Sequence, residues 1–221
     1  MRRLGEDVFQ IPLVPRSGIN AYLVGDVLVD AGTRFHGKRI LSALTGYPVS
    51  THVLTHGHVD HAGGSKQVAA ALGVPVWAGA RDADAVRSGR PPFSPGPLNG
   101  IGKLAGRFPG VPVARELREG DEVGPGFVVL DTPGHTDGAI SLWRERDRVL
   151  ICGDVIFAMN VVTTAPGVHE PLALPTIDPA LNRQSIRRIA ALEPQLTLAG
   201  HGPPLVGPDA LRTFAAGLPA D

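Results

Sequence analysis

His56-Gly57-His58-Val59-Asp60-His61 puts three histidines and an aspartate into six residues. Three matching pieces lie downstream: His135 in Pro133-Gly134-His135-Thr136-Asp137-Gly138, Asp154 after Gly153, and His201 in Gly200-His201-Gly202-Pro203-Pro204. Neutral imidazole nitrogens and carboxylate oxygens suit a borderline divalent ion, zinc first, with iron and manganese as alternatives. Seven potential ligands exceed what one tetrahedral ion needs. They are about right for two ions sharing a bridging carboxylate and a bridging water. The chain reads as a dinuclear metalloenzyme.

Working outward, the same spacing orders the secondary structure. Residues 51–54 form a buried strand that delivers His56 at its end. Residues 19–24 and 27–30 are apolar runs separated by Gly25-Asp26, a two-residue hairpin signal. Residues 36–44 form a short helix; the Ala-rich 65–72 forms another, stopped by Gly73 and followed by a strand over 74–77. A further helix is expected over 80–87. In the second half, 127–131, 139–143 and 149–152 are strands joined by turns. Asp178-Pro179 caps and opens a helix running to 192, because Asp is a good N-cap and Pro fits the first turn. A strand over 196–199 and a helix over 208–216 close the chain. Strands alternate with helices, yet hairpins occur too, so the class is α/β with mixed sheets.

The ordered set HxHxDH, PGHTxG, GD and GHGPP, preceded by Val27-Leu28-Val29-Asp30-Ala31-Gly32-Thr33, resembles the metallo-β-lactamase fold superfamily in its glyoxalase II-like and lactonase-like branch. The resemblance runs from Asp30 to His201 and implies a four-layer αββα sandwich, two mixed β-sheets flanked by helices, as a single domain over 1–221. It implies that His56, His58 and His135 hold one ion, that Asp60, His61 and His201 hold the other, and that Asp154 bridges them. The spacing makes physical sense: His56 and His58 alternate on an extended backbone and point the same way. Asp60 and His61, at a turn into a helix, can then swing toward the neighbouring ion. The implied reaction is attack on an ester, lactone or thioester carbonyl by a metal-bridging hydroxide, with Asp60 orienting the nucleophile and passing a proton to the leaving group. Asp30 is read as a hydrogen-bond partner of a ligand histidine or of the loop backbone, and Thr136 as a residue that orders its loop.

Departures from the pattern narrow this reading. Asp154 stands where the commonest class B β-lactamases carry Cys, and His58 where flavodiiron relatives carry Glu. Glyoxalase II and the persulfide dioxygenases continue after GD into a Gly-Arg loop; here Val155-Ile156-Phe157-Ala158-Met159-Asn160 follows instead. Glyoxalase II also adds a basic C-terminal extension, whereas only about twenty residues follow His201 here. A less polar ester, lactone or thioester therefore fits better than a glutathione thioester. The alternative is a mononuclear non-haem iron oxygenase resembling the persulfide dioxygenases, built on the two-histidine, one-carboxylate set His56, His135 and Asp154.

Two segments, 88–112 and 157–176, break the strand–helix rhythm and carry apolar residues, among them Phe93, Leu98, Ile101, Leu104, Phe108, Phe157 and Met159. Loops of that length in a compact fold are usually lids or disordered; the apolar content argues against disorder, so these residues either pack on the body or contact substrate. Phe93, Phe108, Phe157 and Met159, with His169, are the candidate walls of a substrate pocket.

Composition sets outer bounds. The 221 residues, 43% hydrophobic and 19% charged with zero formal net charge, describe a globule without the clustered basic face that phosphate neutralisation needs. No nucleic-acid partner is expected, only a small-molecule substrate, with self-association into a homodimer left open. The single Cys152 excludes an internal disulfide. No apolar run approaches the roughly 20 residues of a membrane span, and the N-terminal arginines lack an apolar stretch behind them, so a cytoplasmic protein is expected and no membrane partner.

Overall fold

The computed structural model describes residues 1–93 and 106–219. Leu98, Ile101 and Leu104 lie outside the described residues. One sheet has seven strands in the order β1 (Arg2–Arg3), β2 (Val8–Pro12), β3 (Asn20–Val24), β4 (Val27–Val29), β5 (Thr51–Leu54), β6 (Val76–Gly79) and β7 (Arg115–Leu117). The other has six, in the order β15 (Leu205–Val206), β14 (Leu196–Ala199), β11 (Val149–Gly153), β10 (Ile140–Arg144), β9 (Phe127–Asp131) and β8 (Glu122–Val123). Both are mixed. β4, β5, β6 and β7 pair in parallel behind an antiparallel β1–β4 meander, and β11–β14 is the parallel pair of the second sheet.

Alternation explains the layering. In β4, Val27 and Val29 point into the space between the sheets, where they meet Val53, Phe127, Val129, Ile140, Leu142 and Leu198. Leu28, between them, points outward and packs with Ile40 of α1 (Gly37–Ala43), Leu44 just after it, and Val68 of α3 (Ser65–Leu72). The second sheet does the same: Leu150 and Cys152 face outward to Ile186 and Ile189 of α5 (Pro179–Ala191) and Leu211 of α6 (Asp209–Ala216). Strands covered on both faces read as unbroken apolar runs, which is why 27–29 and 149–152 stand out in the sequence. The result is helix, sheet, sheet, helix: the αββα sandwich.

Several local expectations change. Residues 157–176 are not irregular throughout: β12 (Phe157–Met159) and β13 (Pro166–His169) pair antiparallel as a separate two-stranded sheet. The helix expected over 80–87 starts at Ala83 as α4 (Ala83–Ser88), with Asp82 at its N-cap. Asp60 does not precede its helix but lies inside the short α2 (Val59–Ala62), whose N-cap is His58.

Phe108, read from sequence as a pocket wall, instead lies in the core with Leu54, Ala62, Val86 and Val111. Phe108 N–H donates to Gly89 O (3.1 Å) and Val111 N–H to Val86 O (3.2 Å), which folds this stretch back against α4. Phe108→Ala should therefore destabilise by about 3–5 kcal/mol, enough to lower Tm by on the order of 10 °C, and leave KM unchanged. Thermal unfolding beside steady-state kinetics checks it; a raised KM at unchanged Tm would restore the pocket role.

Candidate metal centre

Every candidate donor sits at the C-terminal end of a strand or just beyond it: His56 to His61 after β5, His135 after β9, Asp154 after β11 and His201 after β14. The two sheets thus deliver donors to one shared edge. Two groups form there among the described residues, His56 with His58 and His135, and Asp60 with His61, Asp154 and His201, the donor atoms within each group lying within 4.8 Å of one another.

The outward nitrogen of each imidazole identifies what the inward one offers. His58 Nε2–H donates to Pro92 O (2.9 Å) and His201 Nδ1–H to Gly18 O (2.6 Å), carbonyls that can only accept. His61 Nδ1–H donates to Asp30 Oδ2 at 2.7 Å. Thr55 Oγ1 already donates to Asp30 Oδ2 (2.8 Å) and so accepts from His56 Nδ1–H at 3.1 Å. Thr176 Oγ1 likewise donates to Leu172 O (2.7 Å) and accepts from His135 Nδ1–H (3.1 Å). With those protons placed outward, the inward nitrogens of His56, His58 and His135 are bare lone pairs. His58 Nδ1 lies 2.9 Å from His135 Nε2 and 3.1 Å from His56 Nε2, contacts between acceptors that only a cation reconciles.

The second group carries the negative charge. Asp154 Oδ1 is 3.3 Å from His61 Nε2, and Asp154 Oδ2 is 3.2 Å from His201 Nε2, 3.6 Å from His135 Nε2 and 3.9 Å from His56 Nε2, so this carboxylate lies between the groups. His61 Nε2 and Asp154 Oδ1 are buried without a hydrogen-bond partner among the described residues. Asp60 Oδ2 stands 3.3 Å from His201 Nε2 and 4.0 Å from His61 Nε2. Burial, reinforced by the neighbouring His58, holds His135 down to about 3, and burial with His61 and His58 holds His56 well below the usual imidazole range. Burial acts the same way on His201, but Asp154 and Asp60 overcome it and lift it to about 10. The first group is therefore neutral and electron-donating, while the second draws positive charge, which protons or divalent ions can supply. The donor set fits a pair of such ions.

Backbone shape makes this proximity feasible. A Cβ on Gly200 would lie 2.2 Å from Asp154 Oδ1 and 2.4 Å from His61 Cε1, so only glycine lets β14 pass so close. Arg16 and Ser17 hold positive φ values of 58° and 59°, and the turn they make presents Gly18 O to His201.

The partners read from sequence fall beside the donors. Asp30, itself buried, accepts from His61, from Thr55 Oγ1 and from Thr55 N–H (2.9 Å). Thr136 Oγ1–H donates to Asp82 Oδ2 at 2.7 Å. Asp82 carries no motif in the sequence, where it falls inside the helix expected over 80–87 and nothing marks a longer-range role. Thr55, Thr176, Pro92 and Gly18 escaped notice for the same reason, since they act through a hydroxyl or a carbonyl that carries no motif.

Beside the donors opens a cavity of about 440 Å³. Phe93, Phe157 and Met159 line it, together with Val14, Ile19, Val161, Leu172, His58, Asp60, His135, Asp154 and His201. The Phe93 ring stacks 5.4 Å from that of His58, and Phe157 meets His201 edge-on at 4.5 Å. His169 is not among the lining residues; it is half-buried on β13 opposite Phe157. No helix of the described residues is long and apolar enough to cross a membrane.

Comparison with known proteins agrees with this architecture. The probable metallo-hydrolase YflN of Bacillus subtilis (strain 168) is 31% identical over 202 residues, covering 82% of this chain and 76% of that one. The crystal structure of BLEG-1 B3 metallo-β-lactamase superposes with a TM-score of 0.74 at 25% identity, over 95% of this chain and 100% of that one. That of TTHA1623 in a di-iron-bound form gives 0.72 at 28% identity, over 96% and 98%. The family model of the metallo-β-lactamase superfamily matches residues 14–201, the span that contains every donor described above. With fold, donor clusters and family model in agreement, the chain belongs to the metallo-β-lactamase superfamily and is a metal-dependent hydrolase.

Proposed function

We propose that the chain hydrolyses an uncharged acyl ester, lactone or thioester at a dinuclear centre. In this reading His56, His58 and His135 hold one ion, Asp60, His61 and His201 the other, and Asp154 both. When bound, such ions polarise a carbonyl oxygen and supply a water that ionises near neutral pH. Asp60, whose side chain is 29% exposed and faces the cavity, is the group placed to orient that water and to carry its proton toward the leaving group. The apolar walls would exclude bulk water and hold the acyl portion of the substrate.

The observation that carries the substrate class is the lining itself. Among the described residues it contains no Lys or Arg, and its only charged or ionisable members are the candidate donors. Among the described residues, the carboxylates of glutathione or of a β-lactam antibiotic would find no Lys or Arg to pair with in this lining, only the metal centre itself, and burying them unpaired is costly. A lactone or an acyl ester brings none. The donor chemistry accepts zinc, iron or manganese, and the di-iron form of TTHA1623 makes iron a serious candidate here. A mononuclear oxygenase built on His56, His135 and Asp154 would leave the buried His61 Nε2 without a function.

Elemental analysis of the purified protein, combined with a panel of lactones, acyl esters, glutathione thioesters and glutathione persulfide, tests the proposal. Two ions per chain and turnover confined to the uncharged acyl compounds are expected; one iron with oxygen uptake on the persulfide would replace the hydrolase with the oxygenase. Phe93→Ala and Met159→Ala should each raise KM for the best acyl substrate by the equivalent of about 1–3 kcal/mol with a much smaller change in Tm. Unchanged KM in both variants would place substrate selection elsewhere.

A further inference from the structure

Asp82 is a buried carboxylate, 1% exposed, that the proposed chemistry does not use. It occupies the N-cap position of α4, where an aspartate ordinarily accepts from its own helix, yet its side chain makes no capping hydrogen bond. The carboxylate is directed instead at two distant loops. Gly57 N–H donates to Oδ2 at 2.7 Å, Thr136 Oγ1–H to Oδ2 at 2.7 Å, and Gly138 N–H to Oδ1 at 2.9 Å. Gly57 stands between His56 and His58, and Thr136 directly follows His135. One side chain thus ties together the two loops that supply all three imidazoles of the first donor group. It touches none of the second group, whose His61 is held by Asp30 and whose His201 is held by Gly18 O.

We infer that Asp82 is a positioning residue for one of the two metal positions, the His56–His58–His135 position, and that the two positions can therefore be weakened separately. The inference rests on the dinuclear reading above. Its geometric basis is that His58 Nδ1 lies 2.9 Å from His135 Nε2 although the two residues follow strands of different sheets, β5 and β9. Asp82 is the polar bridge between those segments, whereas Asp30 bridges β4 to Thr55 and His61. Partners that orient ligands characteristically change metal affinity by about 10–100-fold when lost.

The test is a metal titration of the full-length apoprotein against a chromophoric chelator, using zinc, with cobalt(II) spectra taken in parallel. Wild type should take up two ions. Asp82→Asn removes one acceptor oxygen and sets an amide N–H₂ against a backbone donor. It should keep one ion at wild-type affinity, bind the other about 10–100-fold more weakly, and lose the cobalt absorption of one position only. Asp30→Asn, by contrast, should weaken both ions, because that carboxylate reaches His61 directly and His56 through Thr55. If Asp82→Asn does not fold, Thr136→Val, which removes one of the three donors to Asp82, should weaken the same single ion to a smaller degree. Two unchanged affinities with a lowered Tm, or equal weakening of both ions, would overturn the inference and leave Asp82 a structural tie. Failure of wild type to bind two ions would instead overturn the dinuclear reading on which it rests.

Discussion

Asp154→Ala is expected to empty both metal positions and abolish turnover in the same step. The Asp154 carboxylate comes within 4 Å of donor atoms from both sets: His56 and His135 on one side, His61 and His201 on the other. Without it the first set is three neutral imidazoles facing one another, and the second keeps Asp60 alone to balance any positive charge. Removing a shared anion from a buried site costs several kcal/mol, or activity lower by roughly a thousandfold or more. Metal content and kcat measured on one preparation, with circular dichroism to confirm folding, decide the matter. A variant that retains two ions would show that Asp154 is not shared.

Asp60→Asn is expected to separate metal binding from chemistry. Its Oδ2 faces His201 and His61 at 3.3 and 4.0 Å, and the same carboxylate forms part of the cavity wall. Burial works against its ionisation, but His61 and the hydrogen bond from His201 prevail and hold it below the usual carboxylate range. An amide can still present an oxygen to an ion but cannot accept a proton. With metal content retained, kcat should fall by about 10²–10⁴, the contribution of a positioned acid–base group. Near-normal kcat with both positions filled would assign proton transfer to another group.

The donor set was legible because metal chemistry needs particular residue types at particular intervals, and four such pieces survive as strings in the sequence. The layered fold was legible where strands are covered on both faces, as at 27–29, 51–54 and 149–152. Legibility failed where pattern and burial part company. β2 contains a fully buried Gln10, whose Nε2–H donates to Asn20 Oδ1 at 2.9 Å, so a polar residue interrupts what is in fact a core strand. β8 and β15 are two residues each, too short for any periodicity. β12 and β13 are joined across a turn in which Asn160 Oδ1 accepts from Val162 and Thr163 N–H, without the Gly or Pro signals that announce a hairpin. Phe108 and Phe93 carry the same side chain in one Pro- and Gly-rich stretch, yet one is core and the other pocket. That difference lies in the tertiary contacts of each ring, Phe108 with Leu54, Val86 and Val111 and Phe93 with His58, which local sequence does not encode.

The placement of the donors on both sheets has a consequence for how the protein persists in a cell. An ion held by His56 and His135 would close a loop of roughly 80 residues, a span for which chain entropy alone gives a cross-link worth on the order of 4 kcal/mol. The only cysteine, Cys152, is buried and unpaired, so no disulfide does this work. The ions would act as reversible rivets between the two halves of the sandwich. Metal scarcity would then set more than the active fraction: chains left unriveted would keep the apolar core between the sheets but lose this added stability, and their larger unfolded fraction would be open to proteases, tying abundance to metal supply.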